Sequence, residues 1–195
     1  MVGSPASAIY LIRHAETEWN AAGRFQGALD SPLTAKGVEQ AERYARLLTS
    51  VAIDVDAMFA SPLGRARQTT AIITSLGKFP PTIWDDLLAE VSLGSWDGLT
   101  HIDIDAQWPG LLDGATPFDW FFRSPDGERY DAAVDRATGW LNGLKGVVVA
   151  VSHGLIGRVI RGAYLGASRE DALCPPVSQD VIWRLANGQA EPIAA

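Results

Sequence analysis

The 195-residue sequence holds three histidines, His14, His101 and His153, and two of them directly follow apolar runs. His14 comes after AIYLI and Arg13 (residues 8–13), and His153 after VVVAV and Ser152 (residues 147–152). An imidazole is a competent nucleophile near neutral pH when one ring nitrogen is held as a donor and the other is left to attack. An arginine beside it adds a permanent charge and a planar fork of donors that suits phosphate. A lone histidine at a strand end is usually structural. Two of them, one next to an arginine, lower the odds of a purely structural role considerably. Asp85, Asp86, Glu90 and Asp97 supply carboxyl groups for acid–base work, and their spacing alone does not choose among them. His101, three residues past Gly98, reads as a solvated residue or a helix start.

The elements that must position these residues follow from periodicity. Ala8 to Ile12, Ala57 to Ala60 and Val147 to Val151 are short apolar runs of the kind that form buried strands, with Thr82 to Trp84 a further candidate. Thr34 stands as a helix N-cap before Val38, Ala41, Tyr44, Ala45 and Leu48 at helical spacing. Further helices are expected from about Leu63 to the stop at Gly77, through Tyr130 to Leu144, and from Gly154 through Leu165. Val181 to Leu185, a turn at Asn187-Gly188 and a last short strand suggest a terminal hairpin. Strands alternating with helices predict an α/β fold: a three-layer α/β/α sandwich around a mostly parallel sheet. Ligands bind beyond the carboxyl ends of such strands, which is where Arg13-His14 and Ser152-His153 stand. Residues 1–195 read as a single domain, with a less regular, lid-like insertion at about 91–130 that contains Trp96, Trp108 and Trp120. Those tryptophans are read as core rather than as substrate-stacking residues.

Composition narrows the function. The net charge of −7, with no block of Lys or Arg, argues against nucleic acid as a partner. An anionic ligand must therefore be captured by a few placed arginines against the overall field. One cysteine, Cys174, permits no internal disulfide and little prospect of a thiolate metal site, so neither a metal nor a cofactor is expected. No apolar run approaches membrane-spanning length. Met1 to Ala8 lacks the positive charge and apolar stretch of a secretory signal, so the expected location is cytoplasmic.

Residues 10–20, YLIRHAETEWN, resemble the N-terminal signature of the histidine phosphatase superfamily, the phosphoglycerate mutase-like family. Four further segments resemble the family in order and spacing: GRFQGALDSPLTAKGVEQA (23–41), SPLGRARQTT (61–70), LLAEVSLGSWDG (87–98) and VVAVSHGLIGR (148–158). The resemblance implies a phosphoglycerate mutase-like fold, with His14 as a transiently phosphorylated nucleophile and Arg13 and Arg65 as phosphate clamps. By the same resemblance His153 is a further donor to the phosphoryl oxygens and Glu90 the proton donor. Thr17, Asn20, Gly154 and Leu155 are assigned to the phosphate pocket, and Gln26 and Gly27 to the loop touching the rest of the substrate. Ala15 departs from the glycine of the commonest family form. The chemistry implied suits these residue types. Phosphoryl transfer needs positioning and stabilisation of charge on the equatorial oxygens, and a carboxylic acid can protonate the leaving alkoxide and later activate water.

Mutases of the family follow the acid with Arg-His-Tyr and then a lysine, which grip a second anionic group. Here Val91, Ser92 and Leu93 follow Glu90, with no cation through Thr100. The expectation is therefore a metal-independent phosphomonoesterase for small phosphorylated metabolites. The alternatives are a cofactor-dependent phosphoglycerate mutase and a catalytically silent phosphate-binding module. A homodimer is compatible with the sequence, and the tail from Asp180 to Ile193 is either an edge hairpin or part of such a contact.

Overall fold

The computed structural model describes residues 6–51, 54–116, 119–175 and 178–194. Residues 1–5, the larger part of the segment read for a secretory signal, lie outside the described residues, as do 117 and 118 within the expected insertion.

Six strands form one sheet: β1 (Ala6–Arg13), β2 (Ala57–Ala60), β3 (Thr82–Trp84), β4 (Gly146–Ser152), β5 (Val181–Ala186) and β6 (Gln189–Ala194). Their order is β3-β2-β4-β1-β5-β6. β1 is buried on both faces from Ala8 to Ile12 because it is central, parallel to β4 and antiparallel to β5. β2 runs parallel to β4, and β3 parallel to β2. The sheet is therefore mostly parallel, as expected, with the β5–β6 hairpin added antiparallel at one edge. Asn187 (φ 53°) and Gly188 (φ 72°) make the hairpin turn, in the two left-handed conformations that a tight hairpin of this twist requires.

Helix α1 (Glu18–Ala21) is a single turn, and α2 (Ala35–Ser50) starts where Thr34 Oγ1 accepts the N–H of Gly37 at 3.0 Å. α2 buries Ala41, Tyr44, Ala45 and Leu48 and packs with α3 (Gly64–Leu76) on one face of the sheet. After α4 (His101–Gln107), the helices α5 (Tyr130–Gly143) and α6 (Gly154–Leu165) cover the other face, and α7 (Arg169–Leu173) follows. Two cores on either side of one sheet make the three layers. No helix among the described residues is long and apolar enough to cross a membrane.

The stretch between β3 and α5 is built on aromatic packing rather than regular backbone. Trp96 is fully buried, its ring 6.2 Å from that of Trp120, and Trp120 meets Phe25 at 4.7 Å. Both tryptophans belong to the core, as read from the sequence. His101 starts α4 and is exposed, its ring 5.0 Å from that of Trp120.

Candidate active site

Pairing of β1 with β4 decides the central geometry. Arg13 sits opposite Ser152, so the next residues, His14 and His153, emerge side by side at the carboxyl ends of adjacent parallel strands. The His14 N–H still bonds to Ser152 O at 2.8 Å, and the two rings lie 5.1 Å apart. Each histidine is 2% exposed. Nδ1 of His14 is 2.8 Å from Ala15 O, which makes Nδ1 the protonated nitrogen and leaves Nε2 with its lone pair. Burial, reinforced by Arg13 and Arg65, holds the His14 pKa well below the ordinary imidazole range. Burial also lowers that of His153, helped by Arg65 and by His14 itself. Both rings are therefore neutral at pH 7. Nε2 of His153 contacts Ser61 Oγ at 2.6 Å, and its Nδ1 is buried with no hydrogen-bond partner among the described residues.

Arg65 is fully buried near the start of α3 and divides its donors. Its NH1 reaches Leu29 O at 2.6 Å and Asp30 Oδ1 at 3.2 Å, while NH2 reaches Gly27 O at 2.8 Å. It thus holds the 27–30 loop in place as well as carrying charge to the cavity. Gly27 adopts φ 48°, and a side chain there would overlap the Asp97 carboxylate. Asp97 in turn accepts the N–H groups of Ala28 (3.0 Å) and Leu93 (2.9 Å), tying the two loops at the cavity mouth together.

Glu90 is set at the N-terminus of α6. Its Oε1 accepts from Val91 N (3.0 Å) and Ile156 N (2.9 Å), and its Oε2 from Leu155 N (3.1 Å). Among the four carboxyl groups considered from sequence, Glu90 is the one on the cavity wall, while Asp85 caps a turn through Leu87 N and Asp97 braces loops. Asn20 Oδ1 accepts from Thr17 N (3.2 Å) and from Gln179 Nε2 (3.0 Å), so its NH2 is the group left for the cavity.

Arg13, His14, Asn20, Gln26, Gly27, Arg65, Glu90, Gly154 and Leu155 all line one cavity of about 240 Å³. Thr17 and His153 do not line it. Thr17 is fully buried as the cap of α1, in a reciprocal capping box with Asn20. It therefore acts on the pocket through Asn20. His153 packs against His14 and borders a much smaller space of about 20 Å³ behind it. Sequence reasoning missed Arg24, Phe25, Phe121 and Arg158 on the same wall. Arg158 was legible in principle: it lies four residues after Gly154, on the same helical face. Phe121 was not, since only the folding of the 91–126 stretch brings it there. The absence of cations after Glu90 holds, yet Arg24 and Arg158 bring positive charge to the cavity from other elements.

A paired imidazole and arginine set at strand ends, with an acid across the cavity, is a phosphoryl-transfer geometry. The model of the histidine phosphatase superfamily (branch 1) matches residues 9–185. The chain belongs to that superfamily, whose members transfer phosphoryl groups. The probable phosphoglycerate mutase GpmB of Proteus mirabilis is 36% identical over 155 residues, covering 75% of this chain and 69% of that one. Among solved structures, Bacillus stearothermophilus YhfR superposes with a TM-score of 0.80 at 29% identity, over 96% of this chain and 95% of its own. The α-ribazole phosphatase of Shigella flexneri shares the fold at a TM-score of 0.80 and 24% identity, over 96% and 95% of the two chains.

Proposed function

We propose that the chain is a metal-independent phosphomonoesterase, acting in the cytoplasm on small phosphorylated metabolites through a phosphohistidine at His14. The observation that carries this reading is the Nδ1 contact of His14 with Ala15 O, which leaves Nε2 as a neutral nucleophile in a cavity lined by Arg13 and Arg65. In the first step Nε2 attacks phosphorus and the P–O bond to the alcohol breaks, with the Glu90 carboxyl giving its proton to the leaving oxygen. Arg13 and Arg65 neutralise charge on the equatorial oxygens. The role of donor to the phosphoryl oxygens, assigned to His153 by family resemblance, requires its Nδ1 to carry a proton, with Ser61 giving its hydroxyl proton to Nε2. It also requires the ring to reach past His14 into the cavity that it does not line here. In the second step water attacks the phosphohistidine, Glu90 takes the water proton, the P–N bond breaks and phosphate leaves.

The name carried by the GpmB relatives supports a second reading, phosphoglycerate mutase. Against it, Val91 and Leu93 place apolar side chains on the cavity wall just after the acid. The deciding experiment is phosphate release from p-nitrophenyl phosphate and a metabolite panel in EDTA. His14→Ala should lose turnover by roughly a thousandfold or more while still binding vanadate. Interconversion of 3- and 2-phosphoglycerate faster than phosphate release would establish the mutase instead.

A further inference from the structure

Arg158 is a cation on the cavity wall that the phosphoryl-binding set does not use. It is 9% exposed, and its Nε donates to Pro175 O at 3.0 Å, which fixes the plane of the guanidinium. Its terminal nitrogens have no hydrogen-bond partner and no ion pair among the described residues. Glu90 is the acid that acts on it most strongly, but the oxygens of Glu90 are taken by the backbone of Val91, Leu155 and Ile156. Glu90 therefore offers Arg158 charge without a direct bond, and a guanidinium buried this far is better satisfied when a further anion meets its free donors.

The position says which anion. Glu90 serves the leaving oxygen, so it marks the alcohol side of the phosphoryl group, and Arg158 stands beside it. Phe25, Phe121, Val91 and Leu93 wall the cavity with apolar side chains. The polar residues beside them are Gln26 and Arg24, and Arg24 is already engaged through NH1 with Gly98 O at 2.8 Å and Asp103 Oδ2 at 3.9 Å. We propose that Arg158 reads a negative group on the alcohol part of the substrate, a phosphomonoester of a compact, apolar alcohol that carries a carboxylate. The proposal rests on the phosphomonoesterase reading above. The net charge of −7 opposes a more negative substrate at long range, so any preference for the extra charge must arise from local contact.

Phenyl phosphate and 3-carboxyphenyl phosphate test this, because the meta carboxylate adds a charge with little effect on the phenol as a leaving group. The wild type should favour the carboxylated ester by about tenfold in kcat/KM, and Arg158→Met should bring that ratio to about one. Arg158→Lys, which keeps the charge but not the planar fork, should retain part of the preference, and it serves if the methionine variant does not fold. 3-Phosphoglycerate, with its carboxylate on a hydroxylated chain, should be the poorer substrate. A wild-type ratio of one or less, or a ratio that survives Arg158→Met, overturns the role of Arg158. A preference for 3-phosphoglycerate overturns the apolar half. Binding of both aryl esters by the His14→Ala protein, followed by thermal stabilisation, makes the same comparison without turnover. Tighter binding of the carboxylated ester there, lost with Arg158, upholds the proposal even if the wild type hydrolyses neither ester, a result that counts against the phosphatase reading alone.

Discussion

Gln179 shows how much of this site depends on a side chain that never meets the substrate. Its amide N–H fixes Asn20 Oδ1 and also reaches His14 O at 3.3 Å. The Asn20 amide is thereby turned with its NH2 toward the anion. Gln179→Glu reverses the demand: a carboxylate there accepts a hydrogen bond, so Asn20 must turn its own oxygen onto the phosphate. A lost bond to a charged group is worth about 1.5–3 kcal/mol, or roughly ten- to a hundredfold in vanadate affinity. Gln179→Met, which only removes the tie, should cost a few-fold. A double-mutant cycle with Asn20→Ala checks the route, because the glutamate effect should largely vanish once the amide is gone. If it persists undiminished, Gln179 acts by charge and not by orientation.

Two loops and a helix terminus, rather than any strand, form the mouth of the cavity. Asp97 joins the 23–30 loop to the segment after Glu90, and the bonds Phe25 N to Leu99 O (2.9 Å) and Gly98 N to Phe25 O (2.7 Å) continue that seam. Asp97→Ala strands two backbone donors and should cost about 1–3 kcal/mol in thermal unfolding, with KM rising more than kcat falls. Unchanged stability and KM would show that the remaining bonds suffice. Gly27→Ala should be worse, since it meets both the Asp97 carboxylate and a left-handed backbone. The sequence was most informative about elements with strong local signals. The runs AIYLI and VVVAV became β1 and β4, lengthened by one or two residues at each end, and Thr34 caps α2 as expected. Its reach ended where long-range packing decides. The approach of Phe121 to the cavity depends on contacts that no window of the chain contains, whereas α1 carries a local signal that was not used, the Thr17–Asn20 capping box. Glu90 became distinguishable from Asp85, Asp86 and Asp97 by family register, and in space by its seat at the start of α6.

Across the whole molecule, the two buried imidazoles couple stability to pH. Their folded pKa values lie well below the unfolded value of about 6.5. Above pH 6.5 both states leave the rings neutral and no penalty arises. As pH falls below 6.5, the unfolded chain takes up protons that the folded chain refuses, so stability declines until the folded values are reached. The decline is at most about 1.4 kcal/mol per pH unit for each ring. Chemical denaturation between pH 7 and 5 should show this slope, and His14→Gln should reduce it; an identical slope in the variant would exclude His14 as a contributor. The same direction of shift places the acid limb of kcat/KM below pH 6.5, because His14 remains unprotonated there.

The 5.1 Å between the two rings is inherited from the spacing of hydrogen-bonded neighbouring strands, with Arg13 and Ser152 in register behind them. The spacing of the two imidazoles is therefore set by the backbone, whereas Phe25, Phe121 and Leu93, which shape the chamber beside them, come from irregular chain. Inheritance can then work on the two separately. Substitutions in the irregular stretch can change which alcohol is accepted without disturbing how phosphorus is handled, so descendants of one ancestral catalyst can diverge in diet while keeping the same chemistry.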